Sequence, residues 1–316
     1  MTVPVIFDTD AGSDIDDLYA LALILKHPGL NLLGVTTVAG DTQARARLVA
    51  KMLRLAGRDD VPVRAGVELP KAMAQRGVTK EDYRQNLTHC QAVKPEDPES
   101  GKSYGDAVAF ILDLLEEARD PVTLIGTGPW TNLAEVVERA GGKQRAAVKC
   151  LALMGGEVHW IHSEHNVKSD PEGADVVLRS GLPVFLGTWS VTGQLTFPMP
   201  EVESFLRCSG DPCLQLLLEC TRMWWGKGKT SKPGPVCYDV IPVFWAAGER
   251  ENISCMRLGS LPVELEGSYT RGMTVASPSR VRTPQPAEDT SPEYILVTDR
   301  IDAAALKSRY VDLVFR

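Results

Sequence analysis

Residues 3–17 read VPVIFDTDAGSDIDD. The first five are apolar and rich in β-branched side chains, which predicts a buried strand. The next ten contain five carboxylates and one glycine, and the apolar residues that follow, 18–25, predict a helix ending near Pro28. A strand, a polar turn and a helix in this order are typical of one repeating unit of a parallel sheet.

The same alternation continues along the chain. Further strands are predicted at residues 32–38, 61–65, 122–126, 150–154 and 183–186, with helices between them. Strand-like pieces follow residue 253, at 261–265, 273–275 and 294–297, before a last helix at about 301–314. We therefore predict an α/β fold over residues 1–316: a single domain with an open, mostly parallel sheet flanked by helices. In such sheets ligands bind outside the carboxyl ends of the strands, where the polar turns lie.

Composition limits the function classes. The chain has 316 residues and a formal net charge of −7, so it lacks the basic character of a nucleic-acid binder. No apolar stretch approaches the roughly 18–20 residues that span a membrane, and the start resembles no signal peptide. The seven cysteines form no CxxC pair. Reduced thiols in the cytoplasm are the simplest interpretation.

The acidic turn at residues 8–17 predicts a metal site. Carboxylates packed together repel one another unless a cation lies between them, and Ca²⁺ accepts such oxygen ligands in flexible geometry. Asp8 and Asp10 would share a face if the strand continued, and Asp16 and Asp17 would begin the next helix. A helix N-cap with a solvated turn is the simpler alternative, but it explains only one or two of the five acids.

The turn resembles the Asp-x-Asp-x-Gly-x-Asp-Asp pattern of the nucleoside hydrolases, calcium-dependent N-ribohydrolases, with two residues added before the last pair. The resemblance continues to about residue 310. Similar segments are Val38-Ala39-Gly40-Asp41, Gly126-Thr127-Gly128-Pro129-Trp130-Thr131-Asn132, Leu153-Met154-Gly155-Gly156, Glu164-His165-Asn166 with Asp170-Pro171-Glu172, Tyr238-Asp239 and Thr270-Arg271-Gly272-Met273.

The resemblance implies a fold, a reaction and a set of roles. The fold would be the Rossmann-like nucleoside hydrolase fold, and the reaction would release free base and ribose through an oxocarbenium-like transition state. A Ca²⁺-bound water would be activated by Asp10. The ion's ligands would be Asp10, Asp17, Asp239 and the carbonyl of Thr127, and the ribose hydroxyls would be held by Asp16, Glu164 and Asn166.

Several positions depart from the family pattern. Asp41 replaces an Asn and can accept hydrogen bonds but not donate them, although it stays a candidate sugar contact. Tyr238 replaces a His that acts as leaving-group acid in some members, and its ordinary pKa near 10 makes it a weaker acid. His159 and Trp160 occupy a shortened segment where a ribose-contacting Asn is expected. A histidine in a polar loop is more simply explained as solvated. Two further candidates, which could stack on a base or belong to the core, are Trp224 and Trp225.

Two alternatives remain at the level of sequence. Asp8-Thr9-Asp10 also resembles the nucleophile turn of Mg²⁺-dependent haloacid-dehalogenase phosphatases, although Asp16 and Asp17 directly after it do not fit that mechanism. The other alternative is a protein that binds a nucleoside or another ribosyl ligand without turnover. We predict a nucleoside hydrolase of purine or pyrimidine salvage that acts on a small-molecule nucleoside. Its Trp-containing loops favour a homodimer or homotetramer.

Overall fold

The computed structural model describes residues 2–83, 87–207, 209–226, 232–276, 285–286 and 290–316. Nine strands form one sheet. They are β1 Val3–Thr9, β2 Leu30–Thr37, β3 Val63–Ala65, β4 Val122–Gly126, β5 Val148–Met154, β6 Val184–Gly187, β7 Ile253–Leu258, β8 Gln285–Pro286 and β9 Ile295–Ile301.

The sheet runs in the order β3-β2-β1-β4-β5-β6-β9-β7-β8. Neighbours are parallel from β3 to β9, and β7 pairs antiparallel with β9 and β8. The chain moves outward from β1 to β3 and then returns to β4 on the other side of β1. This reversal opens a crevice at the carboxyl ends of β1 and β4, where open α/β sheets bind their ligands.

Helices cover both faces of the sheet. They are α1 Asp16–Lys26, α2 Thr42–Leu55, α3 Lys71–Gln75, α4 Ala107–Glu117, α5 Thr131–Arg139, α6 Gly142–Ala147, α7 His165–Ser169, α8 Pro171–Leu178, α9 Trp189–Thr192, α10 Met199–Leu206, α11 Pro212–Trp225, α12 Val240–Ala246 and α13 Ala303–Tyr310. A 3₁₀ turn spans Thr88–Ala92, and a π-helical turn spans Val311–Phe315.

Successive side chains of β1 enter two different hydrophobic clusters. Val5 and Phe7 pack with α1, α2, α11, α12 and α13, whereas Ile6 packs on the opposite face with α4, α5 and α8. Because both faces are covered, the strands read as continuous apolar runs rather than as alternating patterns. The α/β fold with an open, mostly parallel sheet is therefore confirmed.

The differences from the sequence-based expectation lie mainly at the edges of elements. β1 extends to Thr9, so Asp10 has left the strand and does not share a face with Asp8. Residues 261–265 and 273–275, predicted as strands, contain only the isolated bridge between Val263 and Thr274. The single domain stays a prediction, which the one continuous sheet supports. Across the described ranges, no helix has the length and apolar character needed to cross a bilayer.

Candidate active site

A cavity of about 460 Å³ opens at the carboxyl ends of the strands. The turn after β1 supplies most of its acidic lining, and the segments after β4, β5 and β6 and before α12 supply the rest. Its lining residues are Asp10, Ser13, Asp14, Asp16, Asp17, Thr127, Met154, Glu164, His165, Asn166, Trp189, Tyr238 and Asp239. The cavity thus gathers most of the predicted site residues from distant parts of the chain.

Three buried carboxylates form the floor of this cavity. Asp16, Asp17 and Asp239 each place one carboxylate oxygen within 4.8 Å of the other two. Asp16 and Asp17 are in the first turn of α1, and Asp239 immediately precedes α12. Helix N-termini favour negative charge, which explains why the fold tolerates the acids at these two positions. Three oxygen donors of this kind fit a hard divalent cation.

Hydroxyl groups fix the orientation of Asp17. Its Oδ1 accepts hydrogen bonds from Thr9 Oγ1 and, at 2.8 Å, from Thr127 Oγ1. Thr127 follows β4, so these contacts join the ends of the two central strands. The Thr127 carbonyl, a predicted ion ligand, accepts a hydrogen bond of 2.6 Å from Asn166 Nδ2.

Burial raises the pKa of Asp10 and of the three floor carboxylates. Desolvation raises the pKa of Asp10 to about 6 and that of Asp17 to about 7, and neighbouring carboxylates add to both shifts. The same two causes raise the pKa of Asp16 and of Asp239 well above the ordinary value. A divalent cation among these groups would favour their charged forms. The electrostatics therefore support the fit of the donor set to a metal.

Arg45 supports the acidic turn from below. It lies on α2, is completely buried, and donates hydrogen bonds to the carbonyls of Asp10, Ala11 (3.1 Å) and Ala39 (2.7 Å). Its Nη2 also lies 3.9 Å from Oδ2 of Asp10, and it lowers the pKa of that carboxyl against the larger effect of burial. The guanidinium therefore fixes the main chain that carries Asp10.

Asp8 has a different role from Asp10. Its Oδ1 accepts hydrogen bonds from Thr36 Oγ1 at 2.5 Å and from Asn132 Nδ2 at 2.8 Å, and it is not among the residues that line the cavity. Asn132 also donates to the carbonyl of Thr37. Asp8 therefore ties β1 to β2 and α5, and it is not placed to act as the nucleophile of a phosphatase.

Glu164 and Asn166 are held at the cavity wall by their own backbone surroundings. The Glu164 carboxylate accepts the N–H groups of Gly156, Asn166 and Val167 at 2.9–3.1 Å. Asn166 uses its Nδ2 toward the carbonyls of Thr127 and Met154, at 2.6 and 3.1 Å. Both side chains are buried, so their positions are set before any ligand binds.

Tyr238 lies beside the carboxylate floor, half-buried, and directly precedes Asp239. Burial and the charges of Asp16 and Asp14 raise its pKa to about 12. The phenol therefore stays protonated near neutral pH and can donate a hydrogen bond, but it releases its proton reluctantly.

Other predicted substrate contacts lie outside the lining. Asp41 caps α2 by accepting the N–H of Ala44 at 2.9 Å, and His159 Nε2 lies 3.3 Å from the carbonyl of Thr298. Trp160 is 69% exposed. Trp224 packs partly buried against the core, and its ring contacts that of Trp225, so the arrangement favours the core interpretation for Trp224. The positions of these five residues do not support substrate contact.

The cavity also contains residues that the sequence analysis did not select, namely Ser13, Asp14, Met154, His165 and Trp189. Ser13 and Asp14 were within the acidic turn, and His165 stood between two selected residues. No sequence motif marks Trp189. It reaches the cavity because β6 ends at Gly187, directly before α9. The position of Trp189 after a predicted strand end was the available clue.

Comparisons with known proteins show the family and the fold. A family model described as inosine-uridine preferring nucleoside hydrolase matches residues 5–308. The pyrimidine-specific ribonucleoside hydrolase RihA of Salmonella paratyphi A is 30% identical over 284 residues, which cover 87% of this chain and 88% of that protein.

Solved structures show the same fold. A plant nucleoside hydrolase, PpNRh1, superposes with a TM-score of 0.81 and 21% identity over 100% of this chain and 99% of that one. A purine-preferring ribonucleoside hydrolase from Gardnerella vaginalis has a TM-score of 0.76 and 22% identity, covering 98% of both chains.

Proposed function

The chain belongs to the inosine-uridine preferring nucleoside hydrolase family, and from that premise we propose how its cavity acts. The protein is an N-glycosyl hydrolase that cleaves ribonucleosides to free base and ribose. The observation that carries the mechanism is the buried floor of Asp16, Asp17 and Asp239, with Asp10, Glu164 and Asn166 in the same cavity. RihA is named for pyrimidines and the Gardnerella protein for purines, so membership alone does not identify the base.

We propose Ca²⁺ as the ion of this floor. Asp17 and Asp239 would hold it together with Asp10 and the Thr127 carbonyl, and Asp16 lies close enough to share it. An all-oxygen donor set of carboxylates and a carbonyl is the chemistry that Ca²⁺ prefers. When bound, such an ion lowers the pKa of water and offsets the charge of the carboxylates.

The chain's own residues supply the remaining parts of the reaction. Asp10, held by Arg45, accepts a proton from the attacking water. The carboxylates of Asp16 and Glu164 accept hydrogen bonds from the ribose hydroxyls, and the amide of Asn166 can accept or donate. Positive charge develops on the sugar as the N-glycosidic bond breaks, and nearby carboxylates stabilise that charge.

A side chain that loses its proton near neutral pH does not explain how the base leaves. With a pKa raised to about 12, Tyr238 keeps its proton, so we propose that it donates a hydrogen bond to the leaving base rather than transferring the proton fully. The half-buried phenol lies beside Asp16 and Asp239 at the cavity.

We also propose a cellular location and an assembly state. The six described cysteines are free thiols, which suits a reducing cytoplasm and a role in purine or pyrimidine salvage. A homodimer or homotetramer stays a prediction, and light scattering after size-exclusion chromatography measures it directly.

The experiment is release of reducing sugar from purine and pyrimidine ribonucleosides by wild type and by Asp10→Asn. We expect wild type to release ribose and Asp10→Asn to lose about 100-fold or more in kcat, the scale of a lost general base. Asp60→Asn, an exposed carboxylate paired with Arg58, is the matched control and should keep wild-type rates.

If wild type binds nucleosides and Ca²⁺ but releases no ribose, the protein is a binding protein and the mechanism is wrong. If Asp10→Asn is as active as wild type, hydrolysis stands but Asp10 is not the base.

A further inference from the structure

An aromatic pair that is more exposed than the buried carboxylates borders the cavity. The rings of His162 and Trp189 have centroids 4.4 Å apart and are inclined by 32°. Trp189 lines the cavity and is 38% exposed, whereas Asp16, Asp17 and Asp239 on the floor are buried. The polar floor suits the hydroxyls of a sugar, and the aromatic pair suits a flat ring attached to it.

We propose that Trp189, backed by His162, is the surface against which the nucleobase stacks, and that Glu157 is the positioning residue that fixes this surface. The inference rests on the proposed hydrolysis of ribonucleosides. Every nucleobase presents a π-face, so an indole ring can stack on purines and pyrimidines alike. The tryptophan that contacts the base is then Trp189 rather than Trp160, Trp224 or Trp225.

The backbone around Trp189 is firmly held. Its N–H donates to the carbonyl of Gly156 at 3.0 Å, and its own carbonyl accepts the N–H of Gly193, also at 3.0 Å. Gly193 lies so close to Tyr238 that a Cβ there would approach the phenol ring to 2.8 Å. The turn that carries Trp189 therefore packs directly beside the residue that we place next to the leaving base.

Glu157 joins the two segments that carry the aromatic rings. Its side chain is almost completely buried, and Oε1 accepts the N–H groups of Val158, His159 and Trp160 at 2.8, 2.6 and 3.3 Å. Oε2 accepts the N–H of Ser190, the residue after Trp189, at 2.8 Å. A buried carboxylate is costly unless it is hydrogen-bonded, and here four backbone donors satisfy it.

The position of Glu157 is itself anchored. Its N–H donates to Thr274 Oγ1 at 2.9 Å, and the same hydroxyl donates back to the Glu157 carbonyl at 2.5 Å. Residues 158–160 and Ser190, which follows Trp189, are thus tied to one carboxylate. Loss of that carboxylate would loosen the start of α9 and the loop that leads to His162, without touching the carboxylate floor.

The test compares kcat/KM for inosine and uridine in wild type, Trp189→Ala, Trp189→Phe and Glu157→Gln. We expect Trp189→Ala to lose about 10- to 100-fold for both substrates, the range of one base stacked on one aromatic ring, and Trp189→Phe to recover much of it. Glu157→Gln has the same shape but replaces an acceptor by a donor, and it should raise KM more than it lowers kcat.

A second readout separates this role from a merely structural one. Inhibition by free ribose should be unchanged in Trp189→Ala and Glu157→Gln, because the floor is intact, while inhibition by the free base should weaken. Ile161→Ala, in the same loop and 91% exposed, is the matched control and should behave as wild type.

Three results would overturn the inference, and each leaves hydrolysis standing. The first is a wild-type kcat/KM in Trp189→Ala. The second is a fall in kcat/KM in Trp160→Ala instead of Trp189→Ala. The third is an equal weakening of inhibition by free ribose and by free base in Trp189→Ala. Failure of the proposed function looks different, since wild type would then release no ribose from either nucleoside.

Discussion

At the scale of single residues, Arg45 is the buried charge on which the acidic turn depends. Replacing it by Met keeps most of its volume but leaves the carbonyls of Asp10, Ala11 and Ala39 without this donor. We expect Arg45→Met to lower the free energy of unfolding by about 3 kcal/mol or more, since each of the three buried acceptors left unsatisfied costs about 1–3 kcal/mol. Urea denaturation followed by circular dichroism measures it.

Arg47→Met is the control for Arg45→Met, because Arg47 lies on the same helix and donates an exposed hydrogen bond of 3.4 Å to the carbonyl of Lys102. It should be within about 0.5 kcal/mol of wild type, as surface changes usually are. Equal stability of the two variants would show that Arg45 does not hold the turn.

Prediction from sequence succeeded at this scale where residue type and position coincide. Four acids of the turn, all except Asp8, line the cavity together with Glu164, Asn166 and Asp239, because polar residues that follow parallel strands converge at one sheet edge. Arg45 gave no such signal: an arginine on a helix usually faces solvent, and only the path of the turn brings this one inside. Trp160 and Trp224 lie outside the cavity lining and their substrate contact stays a prediction, since aromatic character alone does not reveal which way a side chain faces.

At the scale of elements, the N-terminus of α2 decides what Asp41 does. Asp41 accepts the N–H of Ala44, which makes it a helix cap. We expect Asp41→Ala to cost about 1 kcal/mol of stability and Asp41→Asn almost nothing, because Asn caps equally well. The folded form of either variant should keep the wild-type kcat/KM. Thermal unfolding and ribose release measure the two effects separately.

Asp302→Ala is the matched cap variant, since Asp302 accepts the N–H of Ala305 at the start of α13. Asp302→Ala should lose about as much free energy of unfolding as Asp41→Ala. A fall in kcat/KM for Asp41→Asn at unchanged stability would contradict the cap interpretation and restore Asp41 as a sugar contact.

Elements were predicted well where the chain is apolar and buried. The strand predicted at residues 122–126 matches β4, and the start of α1 at Asp16 was expected from its two acids. The edges of the sheet were harder, because residues 261–265 and 273–275 have strand-like composition but make a single bridge. Composition cannot supply the pairing partner that turns an extended segment into a strand.

At the scale of the whole molecule, the ion-free protein should lose stability as pH rises. Burial raises the pKa of Asp8 and of Asp17 from 3.8 to about 7, so the folded protein keeps protons that the unfolded chain has lost. The unfolded state then binds fewer protons between about pH 4 and pH 7, and the free energy of unfolding falls with pH across that range. Thermal unfolding with a chelator at a series of pH values measures it.

Saturating Ca²⁺ should reduce this pH dependence, because the ion favours the charged carboxylates and stabilises only the folded state. Asp17→Asn should also reduce it in the chelated protein, by removing one of the shifted groups. Stability that rises with pH in the chelated protein would show that these acids are not held protonated by burial.

We propose that the carboxylate floor at the switch between β1 and β4 makes nucleoside hydrolysis depend on a bound ion. The most direct measurement titrates Ca²⁺ into chelated protein while recording bound ion and ribose release together, in wild type and Asp239→Asn. We expect both to rise in parallel to one ion per chain, with the midpoint for Asp239→Asn at least tenfold higher. Full ribose release with no ion bound, or identical titrations of the two proteins, would contradict the account.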